Sequence, residues 1–270
     1  MRMLFCVLLG ALAAAPAAAQ DDDLELDWDS IDLDGDKPQT LEYSGSSTQA
    51  EAGFNRDARA TISLPKGNLK VRCHDGDVIR GGLSFKLTGT DKDAMQRFGD
   101  GIRLSAYGEG SSGGIKLTVP SQPSSVKSVV IDLNVVVPIA ATVSATASRG
   151  WVEVIGCKGF VTASAGKDGA FVKGPMTGFK VSAASGDVGV ELLEGSEFTK
   201  SSAITATKGA VTLMMGLDKS ARLDARGTEM HVDHEVSGRI SDTSAAGNIG
   251  SGGPSLVIRS GGVVKITASN

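Results

Sequence analysis

Histidine is scarce in this chain, three in 270 residues, and two of the three lie in one stretch, Thr228-Glu-Met-His-Val-Asp-His-Glu-Val236. Strand side chains alternate between faces, which puts Glu229, His231, Asp233 and Glu235 on one face and Met230, Val232, His234 and Val236 on the other. An imidazole flanked by carboxylates could ligate a divalent ion or pair an acid with a base. Glu229, His231 and Asp233 are therefore the metal candidates. The plainer reading, a strand face that is polar because it is wet, is preferred, since no cysteine is near and so short a motif recurs by chance. Asp168, Asp187 and Glu191 fall near strand ends and could align on one face, as paired carboxylates do in polysaccharide-cleaving parallel β-helices, although an aspartate beside a glycine commonly serves the turn itself. Asp32-Leu-Asp34-Gly-Asp36 invites calcium, but an EF-hand loop from Asp32 needs Gly sixth and Glu twelfth, where Lys37 and Tyr43 stand. No Gly-x-Ser-x-Gly elbow, phosphate loop or dinucleotide fingerprint appears in a strand-to-helix context. No catalytic residue and no cofactor are expected, and Trp28 and Trp151 are few for an aromatic sugar platform.

The elements that would hold these residues are announced by a recurring phrase, an alternating apolar strand, a glycine, then another alternating strand. It reads Val143-Ser-Ala-Thr-Ala-Ser-Arg-Gly150-Trp-Val-Glu-Val, and returns from Val161 through Gly169, from Val181 through Gly186 and from Ile204 through Gly209. A period of roughly 20 residues marks a stacked array in which each unit buries its apolar face only against its neighbours. Alternation with Val, Ile, Thr and Phe makes the units strands, and Gly150, Gly169, Gly186 and Gly209 are the structural corners. Val143, Val161, Val181 and Ile204 should stack as an aliphatic ladder. A leucine-rich horseshoe has a similar period but needs a Leu-x-x-Leu-x-Leu pattern that is absent. The expected fold is all-β, a single-stranded β-solenoid with one short inserted helix.

That helix is expected near 91–98, capped by Thr90 or Asp91, with Ala94, Met95 and Phe98 on one side. Before it, Pro65-Lys-Gly67 and Asp75-Gly76 separate alternating runs and read as hairpin turns. After Arg226 the phrase degrades, and 253–270 with the helix is expected to cap exposed strand edges at the ends of the array.

Residues 1–19 read as a secretory signal peptide: Arg2, an apolar run from Met3 to Ala13, then Ala17-Ala-Ala19. The chain is then expected in the periplasm, at the cell surface or outside, with no membrane-spanning segment after cleavage. Residues 20–57 read as an acidic disordered tail, nine acids and no base over 21–36, followed by a polar linker. Residues 58–270 form the repeat domain. The formal charge of −4 excludes nucleic acid as a natural partner. Cys73 and Cys157 lie outside the signal segment; they either pair as a disulfide or sit as buried thiols.

The run Val130-Ile-Asp-Leu-Asn-Val-Val-Val-Pro138, the following Val143 to Val154, Ala-Ser-Gly186-Asp-Val-Gly-Val and Leu64-Pro-Lys-Gly67-Asn-Leu-Lys-Val71 together resemble the bacterial putative-adhesin family with β-strand repeats, over roughly 58–266. Only Gly186-Asp187 has the full Gly-Asp corner; Gly150, Gly169 and Gly209 are followed by Trp or Ala. The resemblance implies a β-solenoid and supplies no active site. Together with the repetitive polar surface it points to a non-enzymatic adhesin-like or envelope-binding role, with glycans or surface proteins as partners. The alternatives are an envelope component acting by self-assembly and a carbohydrate-active enzyme; oligomeric state is left open.

Overall fold

The computed structural model describes residues 40–109, 111–193 and 195–269. The segment read as a signal peptide, the acidic run with Asp32, Asp34 and Asp36, and Trp28 lie outside the described residues.

The chain opens with β1 (Leu41–Gly53), β2 (Arg59–Leu64), β3 (Asn68–His74) and β4 (Val78–Gly89), then α1 (Lys92–Gly101), β5 (Arg103–Glu109), β6 (Ser112–Thr118) and β7 (Val126–Pro138). The middle comprises β8 (Thr142–Ala147), β9 (Trp151–Ile155), β10 (Phe160–Ala165), β11 (Gly169–Gly174), β12 (Gly178–Ala183), β13 (Val188–Leu192), β14 (Ser202–Ala206) and β15 (Val211–Gly216). The last part holds β16 (Ala221–Arg226), β17 (Glu229–Asp233), β18 (Val236–Ser241), β19 (Ser244–Ile249), β20 (Ser255–Ser260) and β21 (Val263–Ser269). They form two large open sheets, one in the order β1-β4-β7-β3-β9-β11-β13-β15-β21-β17 and the other β18-β19-β16-β20-β14-β12-β10-β8-β2-β6-β5.

From β8 to β15 the chain changes sheet at every turn, and each strand lies parallel to the one two places along. The alternating pattern explains the faces: β8 and β10 bury every second residue. Val143 stands beside Val161, and Val181 beside Ile204, as the ladder requires. Between these pairs the register differs from the expected one. Val161 meets Phe179, so Val181 belongs to the row Ile62–Ala145–Ala163–Val181–Ile204–Ile258. A slip of two residues keeps every side chain on its face, which is why alternation alone does not expose it. Phe179 is fully buried and stacks on Phe198 with centroids 5.8 Å apart. Ile62, Ile204 and Ile258 are also fully buried, each gaining about 1.5–3 kcal/mol from leaving water.

Three of the four corner glycines, Gly150, Gly169 and Gly186, have positive φ. At Gly150 a Cβ would lie 1.9 Å from the carbonyl oxygen of Gly67, so one turn rests directly on the next. Gly209 does not need the left-handed conformation; it is required by closeness, 2.0 Å from the Gly186 oxygen to where its Cβ would be.

Four expectations are corrected. The Pro65–Gly67 and Asp75-Gly76 turns are not hairpins: β2 and β3 lie in different sheets, and β7 separates β3 from β4. β2, Gly67 and β3 are instead a unit of the repeating kind beside β8 and β9, with β4 to β7 inserted before the array resumes. The stretch taken as linker, 37–57, contains β1, antiparallel to β4. Tyr43 on β1 is buried near Phe85, and Gly45 leaves room for that ring. Ser, Thr and Gly around it hide the alternation. Residues 253–270 do not cap an end: β20 lies between β14 and β16, and β21 between β15 and β17.

The helix forms where expected. Asp91 accepts a hydrogen bond from the Ala94 amide at 3.0 Å, and Ala94, Met95 and Phe98 are buried. Cys73 and Cys157 are joined, closing a sequence separation of 84 residues. The bond ties the end of β3 to the segment after its neighbour β9.

Candidate binding groove on the ten-stranded sheet

The outward residues of β9, β11, β13 and β15 line a groove of about 410 Å³. Its floor follows from the parallel register. Glu153, Phe171, Gly189 and Thr212 form one row across the strands, and Ile155, Lys173, Glu191 and Met214 the next. Gly189 carries no side chain, and the Phe171 ring fills the space, 2.7 Å from where a Cβ would stand. Phe171 and Met214 each remain 36% exposed, a large fraction for apolar side chains in regular strands. Trp151 borders the groove and receives the Lys70 ammonium 5.4 Å from its ring centroid.

The rim is acidic. Asp168 and Asp187 occupy equivalent turns, one before β11 and the other before β13, and both are exposed. Their turns touch: a Cβ on Gly169 would come within 2.5 Å of the Asp187 carbonyl oxygen. Asp187 Oδ1 accepts a hydrogen bond from the Ala210 amide at 2.8 Å, fastening its turn to the next. Glu191 pairs with Lys173 directly across the strands at 2.9 Å. The Asp168 carboxylate makes no side-chain interaction with any described residue. The three carboxylates singled out in the sequence are thus brought to one groove. What sequence reasoning missed is the apolar floor. Its signal was Phe171 and Met214 at outward positions of an alternating run.

The other cluster does not assemble. Glu229, His231 and Asp233 project from β17 into solvent, and His231 Nε2 lies 3.0 Å from Glu229 Oε1, with both side chains more than half exposed. Lys265 sits beside His231 in the register. Among the described residues no three His, Cys, Asp or Glu side chains form a metal-ligand set. His234 is buried, its Nε2 3.5 Å from the Gly216 oxygen, and fills a structural place near the end of β15.

Flat aromatic and thioether surface beside carboxylates is chemistry for holding a ligand: apolar faces stack on the rings and donors meet the acids. No helix among the described residues is long and apolar enough to cross a membrane.

No protein-family model matches the chain, and no curated protein matches it. Among solved structures, the chain is similar to a putative cell adhesion protein from Clostridium sporogenes, with a TM-score of 0.50 at 10% identity, covering 86% of this chain and all of that one. A putative adhesin from Bacteroides fragilis matches over 87% of this chain and all of its own, also at 10% identity, with a TM-score of 0.30. At such identity the first likeness is one of fold.

Proposed function

We propose that this chain is an exported, non-enzymatic, adhesin-like protein with a β-solenoid fold, which binds glycans of a cell surface or envelope through the groove on its ten-stranded sheet. The observation carrying this reading is the exposed floor of Phe171 and Met214, bordered by Trp151 and rimmed by Asp168, Asp187 and Glu191, on a rigid parallel scaffold. Exposed aromatic surface has a cost in water that a ligand offsets. The Clostridium sporogenes protein of similar fold is described as a putative cell adhesion protein, which agrees with this reading. Export is supported by the Arg2, Met3–Ala13 and Ala17–Ala19 pattern and by the Cys73–Cys157 bond, since disulfides persist in oxidising compartments. Glycan-array binding by the exported chain should be retained without turnover and lost in Phe171→Ala. Release of reducing ends from a bound polysaccharide would replace this reading by an enzymatic one.

A second reading has its own observation. β18 stands at the edge of the eleven-stranded sheet, contains no proline, and leaves Ile240 48% exposed. Such an edge can accept a strand from another copy. Concentration-dependent sedimentation abolished by Ile240→Lys would favour assembly.

A further inference from the structure

We infer that the turns leading from the eleven-stranded sheet to the ten-stranded sheet form a second binding site, a row of cations that takes a linear acidic polysaccharide with one charge per sugar. The row is built by register. Leu64, Ala147, Ala165, Ala183 and Ala206 stand side by side at the ends of β2, β8, β10, β12 and β14. In the other sheet Leu69, Val152, Ala170, Val188 and Val211 are again side by side. The five turns between these rows are therefore equal in length, and their second residues are Lys66, Arg149, Lys167, Ser185 and Lys208. The turns touch: the Gly67 amide donates to the Arg149 oxygen at 2.7 Å, and a Cβ on Gly209 would come within 2.0 Å of the Gly186 oxygen. Successive rungs thus present a cation at one position, about 4.8 Å from one rung to the next, with Ser185 as the gap.

Lys66, Arg149, Lys167 and Lys208 are exposed, and none of them forms an ion pair with any described residue. Asp168 and Asp187, on the same turns, line the groove of the ten-stranded sheet, and the four cations do not. Aligned like charges repel, and an anionic chain laid along the turns replaces that repulsion by a series of attractions. Repetition also sets the form of the partner. A polyuronate carries one carboxylate per pyranose, and each pyranose advances its chain by close to one strand spacing, so carboxylates and rungs stay in step. Each exposed contact is weak alone, and the row gains affinity by engaging several at once. A nucleic-acid strand has a phosphate about every 3.4 Å of helix axis, out of step with the rungs. The five turns also hold no aromatic side chain on which a base could stack.

Calorimetry on the full exported chain tests this with a galacturonate hexamer, its fully methyl-esterified counterpart, a single-stranded oligonucleotide and vesicles of phosphatidylglycerol. The acid should bind at least about tenfold more tightly than the ester, through several contacts each of the size of a surface ion pair, and the advantage should shrink as salt is raised. Lys167→Glu should weaken binding of the acid about fivefold, whereas Lys265→Glu, the same charge change on an exposed strand position outside the row, should not. Ser185→Lys fills the gap and should tighten binding about threefold. Equal binding of acid and ester, equal losses in the two lysine variants, or no gain in Ser185→Lys would overturn the row. Tighter binding of the oligonucleotide or the vesicles would overturn the polysaccharide assignment. Phe171→Ala should leave the acid bound as before; loss of binding there would move the anion into the groove and overturn this site. The groove reading does not depend on any of these outcomes, because its own test is glycan-array binding.

Discussion

The strands from Thr142 to Gly216 and those from Ala221 to Ser269 are built from similar phrases but assembled differently. In the first region each strand pairs with the one two places along, so sequence order and spatial order agree. In the second, β20 and β21 pass back between strands made earlier, and β18 and β19 form an antiparallel edge beyond them. Burial is the same in both: Ile204 and Ile258 stand side by side, and both are fully buried. The β-strand unit is thus set by local pattern, while its place in the stack is set by which edge offers the matching register. The final strands are internal partners of both sheets, and Arg259 on β20 clamps Asp224 on β16, its Nη1 2.8 Å from the Asp224 backbone oxygen.

Removing residues 253–270 should have the largest effect. It leaves β14 and β16, and likewise β15 and β17, about 10 Å apart with no strand between them. Gel filtration should show aggregation of the truncated chain, and a folded truncation that elutes without aggregating would break the comparison. Next comes the Cys73–Cys157 bond, which joins space neighbours far apart in sequence. Its loop of 84 residues predicts a loss of about 4 kcal/mol in Cys73→Ala/Cys157→Ala, measured by denaturant unfolding.

Ile204→Ala and Ile258→Ala should each cost about 3 kcal/mol, since equal burial predicts equal cavities. A much smaller loss at Ile258 would mean that the inserted strand is peripheral. The smallest effect belongs to Asp224. The hydrogen bond from Arg259, helped by the charges of Arg259 and Arg226, holds its carboxyl below the usual range against the opposing effect of burial. A depressed folded-state pKa contributes stability above the unfolded value near 4 and loses it as pH falls through the folded one. The gap between wild type and Asp224→Asn should be under about 1 kcal/mol, given the exposure of the pair, and should close below about pH 4.

Much of this was legible in single residues. Asp91 before Ala94, Met95 and Phe98 announces a capped amphipathic helix, and Gly150 between two alternating runs announces a turn. The unit at Ser255-Leu-Val-Ile-Arg-Ser-Gly-Gly-Val-Val-Lys-Ile266 was equally written in the chain, but its glycine pair and its distance from the clear repeats obscured the likeness. Of the groove, Asp168, Asp187 and Glu191 could be named as a set. The floor that Phe171 makes could not, because its ring lies over Gly189, which stands beside it one strand away.

Side-chain alternation and glycine placement are properties of a few consecutive residues, so the chain alone determined strands, turns, helix and buried faces. Register, strand order, the pairing of Cys73 with Cys157 and the gathering of the groove depend on which distant segments meet. Those choices are made by packing between the two sheets, where Phe179 takes the place beside Val161, Val181 stands two residues further along beside Ala163, and β20 and β21 lie between β14 and β15 on one side and β16 and β17 on the other.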